Sequence, residues 1–168
     1  MKLTPSIAIA YLAALFDPGL AHAGCETTAP EAVAKAFYSK HANFYFEDPI
    51  KIESLIAPRL FAALSREYKC AKGDICAIDA VPWTNAQDGD VGNPVEFRAI
   101  KSAPTQSTVR MTYPYIISKT QRRQQHVTLI LERKSSGECW LFADLVPPRG
   151  KSLVESIEKW HKEFGGGL

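Results

Sequence analysis

The chain has 168 residues, 46% hydrophobic and 23% charged, with 20 Lys+Arg against 18 Asp+Glu. That apolar fraction suits a folded domain and excludes a disordered one, and the length fits a single domain. A formal charge of +2 argues against nucleic acid or an anionic membrane as the main partner, and four cysteines with eleven prolines fit neither a dense disulfide scaffold nor a collagenous chain.

The apolar run from Ile7 to Phe16 follows Lys2 and is too short for a transmembrane helix, which needs about 20 residues. It has the length of a signal-peptide core. Asp17-Pro18-Gly19 breaks it, and Ala21-His22-Ala23 forms a small-x-small cleavage pattern. The expected organisation is a signal peptide over 1–23 and one mature domain over 24–168, beginning at Gly24. Cleavage removes one base, Lys2, and one acid, Asp17, so the charge stays at +2. A lipobox wants an aliphatic residue where His22 stands, which favours a soluble periplasmic or secreted protein over a lipoprotein acylated at Cys25.

In an oxidising compartment the four cysteines predict two disulfides, with three connectivities open. Cys70 and Cys76 flank the short polar loop 71–75, which leaves Cys25 to tie the N-terminal arm to Cys139. The spacing matches no C-x-x-C pair and no histidine stands nearby, so zinc is not expected.

Residues 30–47 read as a helix. Pro30 suits its first turn, Glu31 its dipole, and Val33, Phe37, His41 and Phe44 share one face. Asp48-Pro49 ends it. A second helical stretch carries Ile52, Leu55 and Ile56, then restarts at Pro58 with Leu60, Phe61, Leu64 and Tyr68 as its stripe. Residues 77–94 show no period and many turn residues.

From Val95 the period drops to two. Val95, Phe97 and Ala99; Val109, Met111 and Tyr113; Val127, Leu129 and Leu131; and Leu141, Ala143 and Leu145 each alternate with their neighbours. Short connections, Ser135-Ser136-Gly137 the clearest, predict an antiparallel meander. Ser152-Leu153-Val154-Glu155 reads as a capping box that opens a last helix. Leu153, Ile157, Trp160 and Phe164 are its expected stripe, and Gly165 its C′ glycine. The predicted class is α+β: N-terminal helices, a curved antiparallel sheet of about four strands, and a covering C-terminal helix.

No G-x-S-x-G, H-E-x-x-H, P-loop or dinucleotide fingerprint appears, so no cofactor and no catalytic residue is assigned, and a non-enzyme is the expectation. His41 lies on an apolar stripe and reads as a core or half-buried histidine, His126 sits in a strand, and His161 falls on the expected wet side of the last helix. Asp79, Asp88, Asp90 and Asn93 cluster in the long loop, but the spacing is not an EF-hand and a solvated turn is expected rather than calcium. Lys119, Arg122, Arg123, Arg133 and Lys134 flank one strand, as hairpin solubility or as a meeting point for an acidic partner.

Trp83 and Tyr113-Pro114-Tyr115 admit two readings: anchors of a binding surface, or lids over a small core. The long loop is expected to be ordered, and to present Trp83 or its neighbours Asn85, Gln87 and Asp88 to a partner, with Tyr113 and Tyr115 as a second contact.

Four stretches together resemble a bacterial family catalogued as domain of unknown function 3828. They are Pro30-Glu31-Ala32-Val33 running to Phe37-Tyr38, Leu55-Ile56-Ala57-Pro58-Arg59-Leu60, Trp83-Thr84-Asn85-Ala86-Gln87-Asp88, and Trp140-Leu141-Phe142-Ala143-Asp144-Leu145-Val146. That family often has a serine where Ala57 stands. The resemblance implies an exported or envelope-attached protein with a cone-shaped sheet, similar to the nuclear-transport-factor-2-like or cystatin-like superfamilies, and supplies no catalytic residues. Three functions are weighed. The first is a periplasmic protein-binding or inhibitor module, an immunity protein against an envelope-acting toxin being one instance. The others are a small-ligand binder or enzyme using the cone's mouth, and an accessory subunit of an envelope assembly.

Overall fold

The computed structural model describes Cys25 and residues 27–70 and 76–164; the segment 1–23 expected as a signal peptide, the loop 71–75 and Gly165, expected as the last helix's C′ glycine, lie outside the described residues. The architecture is α+β. Helix α1 spans Pro30–His41, a 3-10 segment Pro49–Leu55, and helix α2 Pro58–Cys70. Five strands follow: β1 Asp90–Val91, β2 Glu96–Ser102, β3 Gln106–Ile116, β4 Arg122–Glu132 and β5 Leu141–Val146. Helix α3, Leu153–Phe164, closes the chain.

Helix α1 opens at Pro30 with Glu31 in its first turn, as its sequence requires, but ends at His41 rather than at 47. The Ala42 carbonyl, which would accept the next helical bond, instead accepts one from Trp83 Nε1 at 2.6 Å. The chain tightens into turns, with Phe44 N on His41 O at 3.0 Å and Phe46 N on Asn43 O at 2.9 Å. Phe44 still reaches the core.

All strand pairs are antiparallel. β3 and β4 form the centre of the sheet. β5 lies beyond β4, while β1 and β2 share the other side of β3. The inward set is Val109, Met111, Tyr113 and Tyr115 from β3, with Val127, Leu129 and Leu131 from β4, all buried. On β5 the expected alternation of Leu141, Ala143 and Leu145 fails. A register shift opposite Ile130 and Leu131 places one extra residue in β5, so Phe142 and Leu145 both point inward and are fully buried. β1, unexpected in an aperiodic loop, is a two-residue edge held by Asp90 opposite Ile116 and Val91 opposite Tyr115.

Helix α1 lies on the concave side, where Phe37 stacks on Phe142 with ring centroids 4.4 Å apart. Helix α3 begins as its sequence asks: Glu155 N donates to Ser152 Oγ at 3.0 Å. The other half of the cap comes from β5, because Asp144 Oδ1 takes Val154 N at 3.1 Å and its Oδ2 takes the Ser152 hydroxyl. The buried stripe of α3 is rotated from the one expected. Leu153, Val154 and Ile157 are buried, Trp160 is half-buried and Phe164 is 69% exposed. The next inward position is His161, which turns to Glu67 of α2, with Nε2 and Oε2 3.0 Å apart. Both side chains are buried, so His161 is not on the wet side.

Both expected disulfides form. Cys25 and Cys139 have Cα atoms 5.4 Å apart across 114 positions, and Cys70 and Cys76 have theirs 6.2 Å apart across 6.

Candidate functional site

The long segment from Cys76 to Pro94 is an ordered loop pinned at several points. At its start, Cys76 is bonded to Cys70 and Ile78 N donates to Glu67 Oε1 at 2.7 Å. Its middle folds on itself: Val81 and Ala86 form an antiparallel bridge, and Asn85 N donates to Val81 O at 2.8 Å. Asn85 takes φ 51°, a left-handed turn conformation that asparagine tolerates.

Trp83 lies at the bottom of this turn and is 2% exposed. Its ring makes edge contacts with Tyr38 and Phe44 at 5.0 and 5.6 Å. The Tyr113 hydroxyl donates to Trp83 O, Gln125 Nε2 donates to Thr84 O at 3.0 Å, and the Tyr115 hydroxyl donates to Asp88 O at 2.5 Å. Burial pushes the Tyr113 phenol well above the ordinary tyrosine value, with the neighbouring Tyr38 and Tyr115 adding and Arg123 opposing. Gly89 follows at φ 93°, where a Cβ would come within 2.6 Å of the Tyr115 hydroxyl oxygen, so this position requires glycine.

The expectation that Trp83, Tyr113 and Tyr115 face a partner is therefore corrected. Their rings are buried, and each uses its one polar atom on a backbone carbonyl. They fasten the loop from beneath. The polar candidates face out: Asn85, Gln87 and Asp88 are all exposed. Asn85 Nδ2 donates to Pro148 O at 3.2 Å and Gln87 Nε2 to Asp79 O at 3.4 Å, and the Asp88 carboxylate is exposed just beyond the turn. The arrangement is a rigid polar turn held on an aromatic base, a loop whose ordering cost folding has already met.

Two clefts lie elsewhere. One of about 290 Å³ sits under the Cys25–Cys139 bridge between Val33, Phe37, Leu55 and Trp140, with His41 at its side. His41 Nδ1 is 3.1 Å from Glu47 Oε2, so this histidine is half-buried and paired. The other, an open groove of about 830 Å³, runs past Phe61, Gln106, Glu132, Arg133 and Leu141. Arg133 is held in its wall, 4.0 Å over the Trp140 ring and donating to Pro104 O at 2.7 Å. Among the described residues, no group of three His, Cys, Asp or Glu side chains is placed to hold a metal ion, and no helix is long and apolar enough to cross a membrane.

Sequence reasoning missed two surfaces. Phe46 and Ile50, 69% and 70% exposed, flank Asp48-Pro49, and Leu55 follows at 42%. Counting apolar periods treats such residues as core, so periodicity carries no sign of them. The other is a pair of facing arginines, Arg98 and Arg110, on the outer side of the sheet. Alternation puts both outside, but only the strand register puts them together.

No family model matches the chain, nor does any curated protein or solved structure.

Proposed function

We propose that this chain is an exported protein-binding or inhibitor module, of which an immunity protein neutralising an envelope-acting toxin is one instance. The observation that carries the reading is the contrast within one loop. Trp83, Tyr113 and Tyr115 are spent on fixing it, whereas Asn85, Gln87 and Asp88 stand exposed on it. Such preorganisation lowers the ordering cost of association. A loop that served only to connect α2 with β2 would not need this many tethers.

Export belongs to the same proposal, with the mature chain starting at Gly24 and related to the family of domain 3828. Two disulfides support an oxidising compartment. The bond from Cys25 to Cys139 also leaves the Cys25 sulfur unavailable for a thioether lipid, which supports a soluble protein over a lipoprotein. The test is stoichiometric co-purification from periplasm, with the intact mass of the same material. A mature mass beginning at Gly24 and a protein partner lost on Asp88→Ala are expected. An acylated Cys25 would overturn the soluble assignment.

A second reading, small-ligand binding, rests on the groove beside Arg133. Its volume of about 830 Å³ falls within the range of ligand pockets. Its open form and charged walls suit a partner's side chains better than an enclosed small molecule.

A further inference from the structure

The register of β2 and β3 sets Arg98 directly opposite Arg110. Val109 and Met111, on either side of Arg110, point into the core, so both arginines stand on the outer face, where both are exposed. The irregularity between Ala99 and Lys101 brings Lys101 opposite Thr108, which puts its side chain on that face too, in the row next to the arginines. Three cations thus occupy adjacent positions. Around them lie Thr108, Thr112 and Thr128, with His126 opposite Thr112. Glu96 lies one row away, and none of the three cations makes an ion pair among the described residues. Helix α1 fills the concave side, and α2 and α3 meet the sheet at β5, so among the described residues no helix covers this face.

Like charges directly opposite on neighbouring strands destabilise the pair. With a net charge of only +2, the cluster is a local concentration and not a reflection of a basic chain. What relieves it is an anion between the two guanidinium forks, whose planar donors match carboxylates two bonds at a time. Resting on the protein-binding reading above, we propose that the outer face of β2 and β3, centred on Arg98, Lys101 and Arg110, docks an acidic surface of a partner protein. A protein surface fits better than a polyanionic strand. The cations form a compact triangle bounded on one side by Glu96, not the extended stripe that tracks successive phosphates. Ile100, 44% exposed at the irregularity, adds the apolar contact that protein interfaces place beside their charges.

The test uses poly-L-glutamate as the probe, with inorganic polyphosphate and phosphatidylglycerol vesicles as competing classes of anion. In titrations of the whole mature protein followed by amide and guanidinium NMR, poly-L-glutamate should shift Arg98, Lys101 and Arg110. The variant Arg98→Glu/Arg110→Glu should weaken binding by on the order of tenfold or more. Arg98→Gln/Arg110→Gln, which adds no new charge, should weaken it less at an unchanged melting temperature. Unmoved signals at these residues would overturn the proposal, as would charge-reversed protein binding within about twofold of wild type. Tighter binding of polyphosphate or vesicles would overturn it in favour of another anion. The titration needs no native partner. Its failure removes this docking face and leaves the protein-binding reading standing, whereas a chain that passes it and co-purifies with nothing loses that reading alone.

Discussion

The Tyr113 hydroxyl donates to the backbone carbonyl of Trp83, 30 positions earlier in the chain. The Trp83 ring in turn donates to Ala42 O, so a single residue joins the central strand, the long loop and the end of the first helix. This linkage converts an aperiodic stretch into an ordered one. It also explains why the aromatic residues suited to recognition are not on the surface. Each is already occupied.

Trp83→Ala should therefore behave as a core deletion and cost about 3–5 kcal/mol. Gln87→Ala and Asp88→Ala, on the exposed side of the same loop, should change stability far less, within about 1 kcal/mol. Urea unfolding of the three variants decides it. A Trp83→Ala protein as stable as wild type would mean that the indole is not buried as described.

Tyr113 sets an alkaline limit. Its folded-state pKa is raised, so the folded protein holds this proton more tightly than the unfolded chain does, where the group titrates near 10.0. Its contribution is whole below that value and falls as pH rises beyond it. Burial raises Tyr38 and Tyr45 as well, adding to the same decline. Unfolding free energies measured from about pH 8 to about pH 11 should fall steeply in wild type and less steeply in Tyr113→Phe. That variant should also cost about 1–3 kcal/mol at neutral pH, because the Trp83 carbonyl loses its donor. Equal slopes for the two proteins would contradict the account.

Glu67 is the buried joint between helices α2 and α3. One carboxylate oxygen faces His161 and the other accepts from Ile78 N. Glu67→Ala removes both contacts and leaves Ile78 N without its acceptor, which should cost about 1–3 kcal/mol, with Glu67→Gln costing less because it keeps an acceptor for Ile78 N. A double-mutant cycle with His161→Ala should show coupling. Strict additivity would mean that the pair contributes nothing beyond its separate packing.

The two disulfides should differ in worth. Loop-closure entropy gives about 5 kcal/mol for the bond spanning 114 positions and about 2 kcal/mol for the one spanning 6. Cys139→Ser should accordingly lower the melting temperature more than Cys76→Ser. The reverse order in differential scanning calorimetry would place the larger constraint in the short loop.

Much of the fold is legible in the sequence because it rests on local pattern. Val109, Met111, Tyr113, Val127, Leu129 and Leu131 alternate cleanly, and Ser152 with Glu155 announces the last helix. The parts that are not legible depend on partners far along the chain. His161 turns inward because Glu67, 94 positions earlier, is buried there. Helix α1 stops early because Trp83 takes its carbonyl. Phe142 joins Leu145 in the core through an irregular register that alternation cannot foresee. The candidate loop was recognisable by its length and composition, and its polar residues are exposed. Whether its aromatics point in or out was decided by three carbonyls, and a sequence read alone does not say where carbonyls lie.

The measurement closest to the central claim is a quantitative periplasmic pull-down comparing wild type with Asn85→Gly/Gln87→Ala/Asp88→Ala, where glycine keeps the left-handed turn at 85, each checked for melting temperature. The account predicts one stoichiometric protein with wild type, and its loss in the triple variant at nearly unchanged melting temperature. A partner retained in full by the triple variant would contradict the assignment of this loop as the interface, and the absence of any stoichiometric partner would contradict the protein-binding function itself.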